Sequence, residues 1–200
     1  MTACEYGHIE IVQMLLERGA NFAKFDNQNQ SPVCMTCVHG HTEIVKILLD
    51  KGADCNECDS SSRSLVVIAC EYGYTKILKM LLDKGAVYTQ EDHICIYKRV
   101  TCDEYFNYTK SPIRLACEHG YLEIVKMFLD TGVDYNICDR WGQSLLFTAC
   151  DYGHTEIVKL LLERGADYTR WDDDGQSPVL KACEKGFIEI VKMLSDIVVN

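Results

Sequence analysis

The chain has 200 residues, 48% of them apolar, a formal net charge of −10 and twelve cysteines. That acidity argues against nucleic acid or an anionic membrane surface as partner, since phosphate binding needs clustered Lys and Arg, and no segment approaches the ~18 apolar residues of a membrane span. The N-terminus lacks a basic-then-apolar signal sequence, so a soluble, cytoplasmic protein is expected.

Reading from Met1, an Ala-Cys pair, once Thr-Cys, falls at Cys4, Cys37, Cys70, Cys117, Cys150 and Cys183. The spacings are 33, 33, 47, 33 and 33 residues, so one unit is used six times with a single 14-residue insertion. Gly7, Gly40, Gly73, Gly120, Gly153 and Gly186 keep the same period, and Pro32, Pro112 and Pro178 share one further position of it. The period therefore governs every motif that follows.

The first repeat, roughly 1–25, is incomplete, because Met1 falls in the middle of its first helix; a fragment or an imperfect cap is expected there. Repeats two to five run approximately over 26–58, 59–91, 92–138 and 139–171, the fourth carrying the insertion at 93–106. In the fifth, Ser144 can cap a short helix that Gly153 ends, and Thr155 starts a second helix that Gly165 ends. Such helices of about ten residues do not persist alone in water, so stability must come from stacking repeat on repeat. In the sixth, 172–200, Ser195 reads as the start of a polar cap, whereas Ile197, Val198 and Val199 read as a helix that runs on.

SPVLKACEKGFIEIVKML and its relatives resemble the ankyrin repeat, whose pattern runs from a TPLH-like helix start through GHxEIV to LLxxGADxN. The resemblance implies an all-α solenoid of stacked helix pairs with short β-hairpin fingers, forming a single domain over 1–200. Two departures stand out. Cys34, Val67, Arg114, Phe147 and Leu180 replace the family's His after the Pro-Leu pair, so the hydrogen bonds of that His must be lost or replaced. In the third repeat Ser62 replaces the finger glycine and Leu65 the proline, and that finger is expected to be the most mobile of the regular ones.

The resemblance also implies a binding module without chemistry of its own, a protein-interaction scaffold or adaptor using finger tips and the concave face of helix 1. Carried over, its contact positions give Arg63, Arg140 and Trp141 on fingers, with Tyr6, His39, Glu71, Tyr72, Glu118, His119, Asp151 and Tyr152 on helix 1. Glu5, Glu71, Glu118, Asp151 and Glu184 line one column, and Tyr6, Tyr72 and Tyr152 the next. Acid beside aromatic can clamp a Lys- or Arg-bearing segment of a partner protein, although repeat duplication alone would leave the same columns. Trp141 is the best single anchor, while Trp171 is expected to pack against a neighbouring hairpin.

The insertion, His93 to Phe106, is the stretch that stacking does not require. It reads either as an extended hairpin turning at Lys98 and Arg99 or as an irregular loop, and in both cases Tyr97, Lys98, Arg99 and Tyr105 are within a partner's reach. A remote alternative is a zinc or redox-responsive site built from Cys55 and Cys58 with His93, Cys95 and Cys102. The column cysteines read instead as small apolar side chains, because stacked helices lie roughly 8–10 Å apart and a disulfide wants Cα atoms within about 7 Å. Column histidines His8, His41 and His154 read as structural, and neither a phosphate-cradling loop nor a nucleophile elbow appears. No enzyme activity, metal or cofactor is expected, and a monomer is. The competing function is a spacer segment of a larger repeat protein with no dedicated partner site.

Overall fold

Each regular repeat begins with a serine on extended backbone. The Oγ atoms of Ser31, Ser64, Ser144 and Ser177 accept the backbone N–H of Cys34, Val67, Phe147 and Leu180 at 3.1–3.3 Å, satisfying one orphan donor of the helix each starts. Pro32, Pro112 and Pro178 occupy the first turn, where a missing N–H costs nothing. The computed structural model describes residues 1–27, 30–88 and 111–199.

These starts yield α1 (Thr2–Glu5), α2 (Ile9–Glu17), α3 (Pro32–Val38), α4 (Thr42–Asp50), α5 (Leu65–Glu71) and α6 (Thr75–Asp83) in a first compact unit. A second unit holds α7 (Pro112–His119), α8 (Leu122–Asp130), α9 (Leu145–Tyr152), α10 (Thr155–Glu163), α11 (Pro178–Lys185) and α12 (Ile188–Val199). The final helix runs on to Val199, because no glycine stands where Gly165 ends α10; of the two readings for this end, the continuing helix holds.

In the first unit α3 packs between α1 and α5, α4 packs between α2 and α6, and each helix also packs on its own pair-mate. The second unit repeats this with α9 between α7 and α11, and α10 between α8 and α12. Ile44, Leu48, Ile77 and Leu81 fill the seam of the first, and Ile124, Phe128, Ile157, Leu161 and Ile190 that of the second, all of them at most 1% exposed. Burying each such side chain contributes roughly 1.5–3 kcal/mol, which helices of seven to nine residues cannot obtain alone.

The cysteine column behaves as expected. Cys4, Cys37, Cys70, Cys117 and Cys150 are buried free thiols, and Cys183 is exposed. Burial pushes the thiols of Cys117 and Cys150 up to about 12, so they are poor nucleophiles at neutral pH. The column Met14, Ile47, Met80, Met127, Leu160 and Met193, one position of the second helix in each repeat, predicts a core stripe, yet Met80, Met127 and Met193 are only half-buried and Met14 is 51% exposed. These positions lie at the edge of the seam, while the β-branched and Leu positions beside them fill it. Glu and Lys recur three residues apart on the second helix of several repeats, and of these pairs Lys126 and Glu123 meet at 3.0 Å.

A joint recurs between successive pairs. Gly7, Gly40, Gly120 and Gly153 all have φ between +72° and +78°, and a Cβ there would come within 2.6–2.7 Å of the ring of His41, Tyr74, His154 or Phe187 from the next repeat. Glycine is thus required twice over, for its left-handed backbone and for the ring lying on it. Nε2 of His41 lies 2.8 Å from the carbonyl oxygen of Glu5, and Nε2 of His154 lies 2.8 Å from that of Glu118. Since a carbonyl only accepts, both rings carry their proton on Nε2, and the structural reading of these histidines holds.

Candidate functional site

The fingers are built on an aspartate that the motif reading passed over. Asp59, Asp139 and Asp172 each receive, on one carboxylate oxygen, the N–H groups of the residues two and four further on, at 2.7–3.1 Å. The aspartate N–H closes the loop on the carbonyl four residues later, at 2.8–3.0 Å. Among the described residues strand character is confined to single antiparallel bridges, Cys58 with Ser64 and Cys138 with Ser144. The 33-residue spacing of Asp26 and Asp59, and of Asp139 and Asp172, was the available signal.

In the third repeat Ser62 takes φ 62°, the one non-glycine with positive φ among the described residues, so the loop forms without glycine. Arg63 braces it, with Nε 2.8 Å from Asp59 Oδ2 and an ion pair from Nη1 to Glu71. Although partial burial opposes charge, the bonds to Asp59 and the charge of Glu71 hold the guanidinium more firmly protonated than usual. Tyr72, 44% exposed, stacks on Tyr74 with centroids 5.6 Å apart.

The finger Asp139–Gln143 carries the predicted anchor. Trp141 is 49% exposed, and the Arg140 guanidinium lies 4.0 Å from its ring centroid, a cation–π contact that orients both at the tip. Trp141 also accepts, on its carbonyl, the N–H of Asp173 at 2.9 Å, which ties this finger to the next. Trp171 does not pack away as expected: it is 60% exposed, leaving a second indole largely uncovered in the same unit.

Beneath this finger sits Arg114, 4% exposed. Its Nη1 donates to Thr148 Oγ1 at 2.8 Å and lies 3.6 Å from Asp139 Oδ2, and its Nη2 donates to the Gln143 carbonyl at 2.9 Å. The bonds of the missing family His are therefore replaced here by an arginine. Sequence reasoning saw only a departure, because the partners lie 25 to 34 residues downstream.

The aromatic column is structural in part. Tyr6 on His8, His39 on His41, Tyr72 on Tyr74, His119 on Tyr121 and Tyr152 on His154 all stack two residues apart, with centroids 5.6–6.3 Å apart. Each ring keeps an open edge; Tyr6 is 65% and Tyr152 47% exposed, and His39 and His119 are exposed as well.

The acidic column does not stand open to a basic partner in the way the alternation suggests, since the chain supplies its own counter-charges. Glu71 pairs with Arg63, Asp151 lies 3.4 Å from Lys185 and 3.8 Å from Lys181, and Glu184 lies 3.1 Å from Lys181. Glu118 accepts the Tyr152 hydroxyl at 2.7 Å. Partial burial, that bond and the charges of Glu118 and Asp151 push the Tyr152 phenol up to about 12.

Tyr97, Lys98, Arg99 and Tyr105, and with them His93, Cys95 and Cys102 of the zinc alternative, lie outside the described residues. Among the described residues no His, Cys, Asp or Glu cluster could hold a metal, and Cys55 donates to the Lys84 carbonyl at 3.6 Å. No helix there is long and apolar enough to cross a membrane.

A family model described as ankyrin repeats (3 copies) matches residues 1–92 and again 101–200. No curated protein matches the chain. Among solved structures, the human ASB11 ankyrin repeat domain is similar with a TM-score of 0.77 and 24% identity, over 98% of this chain and 81% of that one. An ankyrin repeat domain from Acinetobacter baumannii AYE is similar with a TM-score of 0.75 and 25% identity, over 96% of this chain and 94% of that one.

Proposed function

Because the chain belongs to the ankyrin repeat family, whose fold typically serves as a protein-binding module rather than an enzyme, we propose that it is a scaffold or adaptor that grips a partner protein. The grip is centred on the finger Asp139–Gln143. The observation that carries this reading is Trp141, an indole half exposed at a finger tip and oriented by Arg140 at 4.0 Å. An aromatic held rigidly in water loses little conformational entropy when a partner covers it, which is why such residues dominate interface energetics.

The exposed edge of Tyr152 and the second indole, Trp171, extend the same apolar character within this unit. The partner meets aromatic edges first, and a basic segment would have to displace Lys181 and Lys185 from Asp151 to reach the acids. The insertion at 93–106 is proposed as a second contact, through Tyr97, Lys98 and Arg99.

The test compares partner recovery by the intact chain, by Trp141→Ala and by a chain lacking residues 93–106. Loss of the same specific partner with Trp141→Ala, at unchanged helix content, is the expected result. Unchanged recovery with Trp141→Ala would take this finger out of the interface, absence of any specific partner for the intact chain would support the spacer reading, and unchanged recovery after excision would remove the insertion from the interface.

A further inference from the structure

Among the described residues three fingers show the whole aspartate loop, yet they differ in what holds the second carboxylate oxygen. For Asp59 it is Arg63, inside the same finger, at 2.8 Å. For Asp172 it is the neutral amide of Gln143, at 3.5 Å. For Asp139 it is Arg114, a cation on helix α7 of the preceding repeat, which also bonds the loop's closing carbonyl at Gln143 and the hydroxyl of Thr148 on α9. Its counterparts elsewhere in the chain are Cys34, Val67, Phe147 and Leu180, of which only Cys34 carries a side-chain donor, a weak and uncharged thiol.

We propose that Arg114 is a positioning residue for the recognition finger: from under the loop it fixes the base of the finger and so the direction of Trp141. The inference rests on the reading of Trp141 as the anchor. The geometry is two hydrogen bonds and an ion pair made by one guanidinium. Asp139 fastens the loop from within through the N–H groups of Trp141 and Gln143, and the guanidinium fastens Asp139 and the Gln143 carbonyl to α7 and α9. Planar and always charged, guanidinium can hold two acceptors in fixed directions while its charge faces a carboxylate, which the single ammonium of lysine does less well.

A finger fixed in this way holds Trp141 in one orientation before any partner arrives, and pre-organisation of that kind raises affinity without adding a contact. The carbonyl of Trp141 passes the constraint on to Asp173, so the next finger inherits it.

The chain has two tryptophans, so Trp171→Phe leaves Trp141 as the sole indole and its fluorescence reports on the finger alone. In that background Arg114→Leu should raise acrylamide quenching of Trp141 about twofold and lower its anisotropy, well below the unfolding temperature, with Arg114→Lys falling between. The double variant Arg114→Leu, Asp139→Asn leaves no buried carboxylate alone and gives the same reading if the single variant does not fold. A lowered melting temperature with quenching and anisotropy unchanged would overturn the proposal, since Arg114 would then act on stability only. The protein is measured without a partner, so this failure would leave the recognition reading standing, and a failure of Trp141→Ala to lose a partner would leave the positioning result standing.

Discussion

The fingers at Asp59–Arg63 and Asp139–Gln143 share one loop and two ways of anchoring it. In the first the aspartate's counter-charge comes from within the loop, on an Arg63 side chain 26% exposed to solvent. In the second it comes from another repeat, on an Arg114 side chain 5% exposed. Both carboxylates are buried, at 3% and 4% exposure, but water reaches Arg63 and barely reaches Arg114, so solvent screens the first pair more although it is the closer, at 2.7 Å against 3.6 Å. The comparison teaches that a repeat can keep its backbone while moving the source of its rigidity from local to long-range contacts.

The largest expected effect breaks the buried brace. Arg114→Leu should destabilise the protein by about 3 kcal/mol in chemical denaturation, because it leaves the Asp139 carboxylate buried without its cation. A loss no larger than that of a surface substitution would remove the contrast between the two fingers.

Exchanging the turn residues comes next. Gly142→Ser should cost about 2 kcal/mol, since φ 74° suits glycine and a Cβ would come within 3.0 Å of Asp173 Oδ1. The reverse change, Ser62→Gly, should stabilise by under about 1 kcal/mol by relieving a left-handed serine. Destabilisation by Ser62→Gly would show that the serine makes a contact the backbone argument ignores.

Smaller still is Arg63→Gln, which installs the residue found at Gln143 and Gln176. It should cost about 1 kcal/mol, because the Gln amide can still donate to Asp59, whose carboxylate is as buried as that of Asp139, and because water reaches Arg63 the cost should shrink in high salt while that of Arg114→Leu persists. Equal salt sensitivity of the two variants would contradict the difference in solvent access between the two arginines.

At neutral pH the last test should have the least effect. The Tyr152 phenol is raised from its ordinary 10.0 to about 12, so the folded state favours the protonated form. That contribution is intact below pH 10 and is lost as pH rises through about 12. Subtracting the alkaline absorbance titration of Tyr152→Phe from that of the parent should isolate a phenolate appearing near 12; a component near 10 would mean that the bond to Glu118 does not form.

Much of the fold was legible because repetition averages out local ambiguity. Ser144 as cap, Gly153 as left-handed terminator and His154 as a structural ring each recur at the same place in other copies, so the sequence tests its own assignments. What differed between copies was harder to read. Arg114 looked like a lost histidine, because its acceptors are a carboxylate, a carbonyl and a hydroxyl in the following repeat, and spacing alone cannot pair them. The acidic column looked open for a similar reason: Lys181 and Lys185 lie in the repeat after Asp151, and only the packing of α11 on α9 brings them across. Trp171 was given a neighbouring hairpin from its place before the finger aspartate, and the structure leaves it 60% exposed.

The ring lying on the preceding glycine has a consequence for how such chains are assembled by recombination. Each such joint is encoded half in one copy and half in the next: His41 serves Gly7, and Phe187 serves Gly153. A segment moved as a block carries a ring for whatever precedes it and a bare backbone for whatever follows. Crossovers that respect this pairing can lengthen or shuffle the array without redesigning any contact, whereas one that separates a side chain larger than hydrogen from its space would be rejected at the first joint it creates.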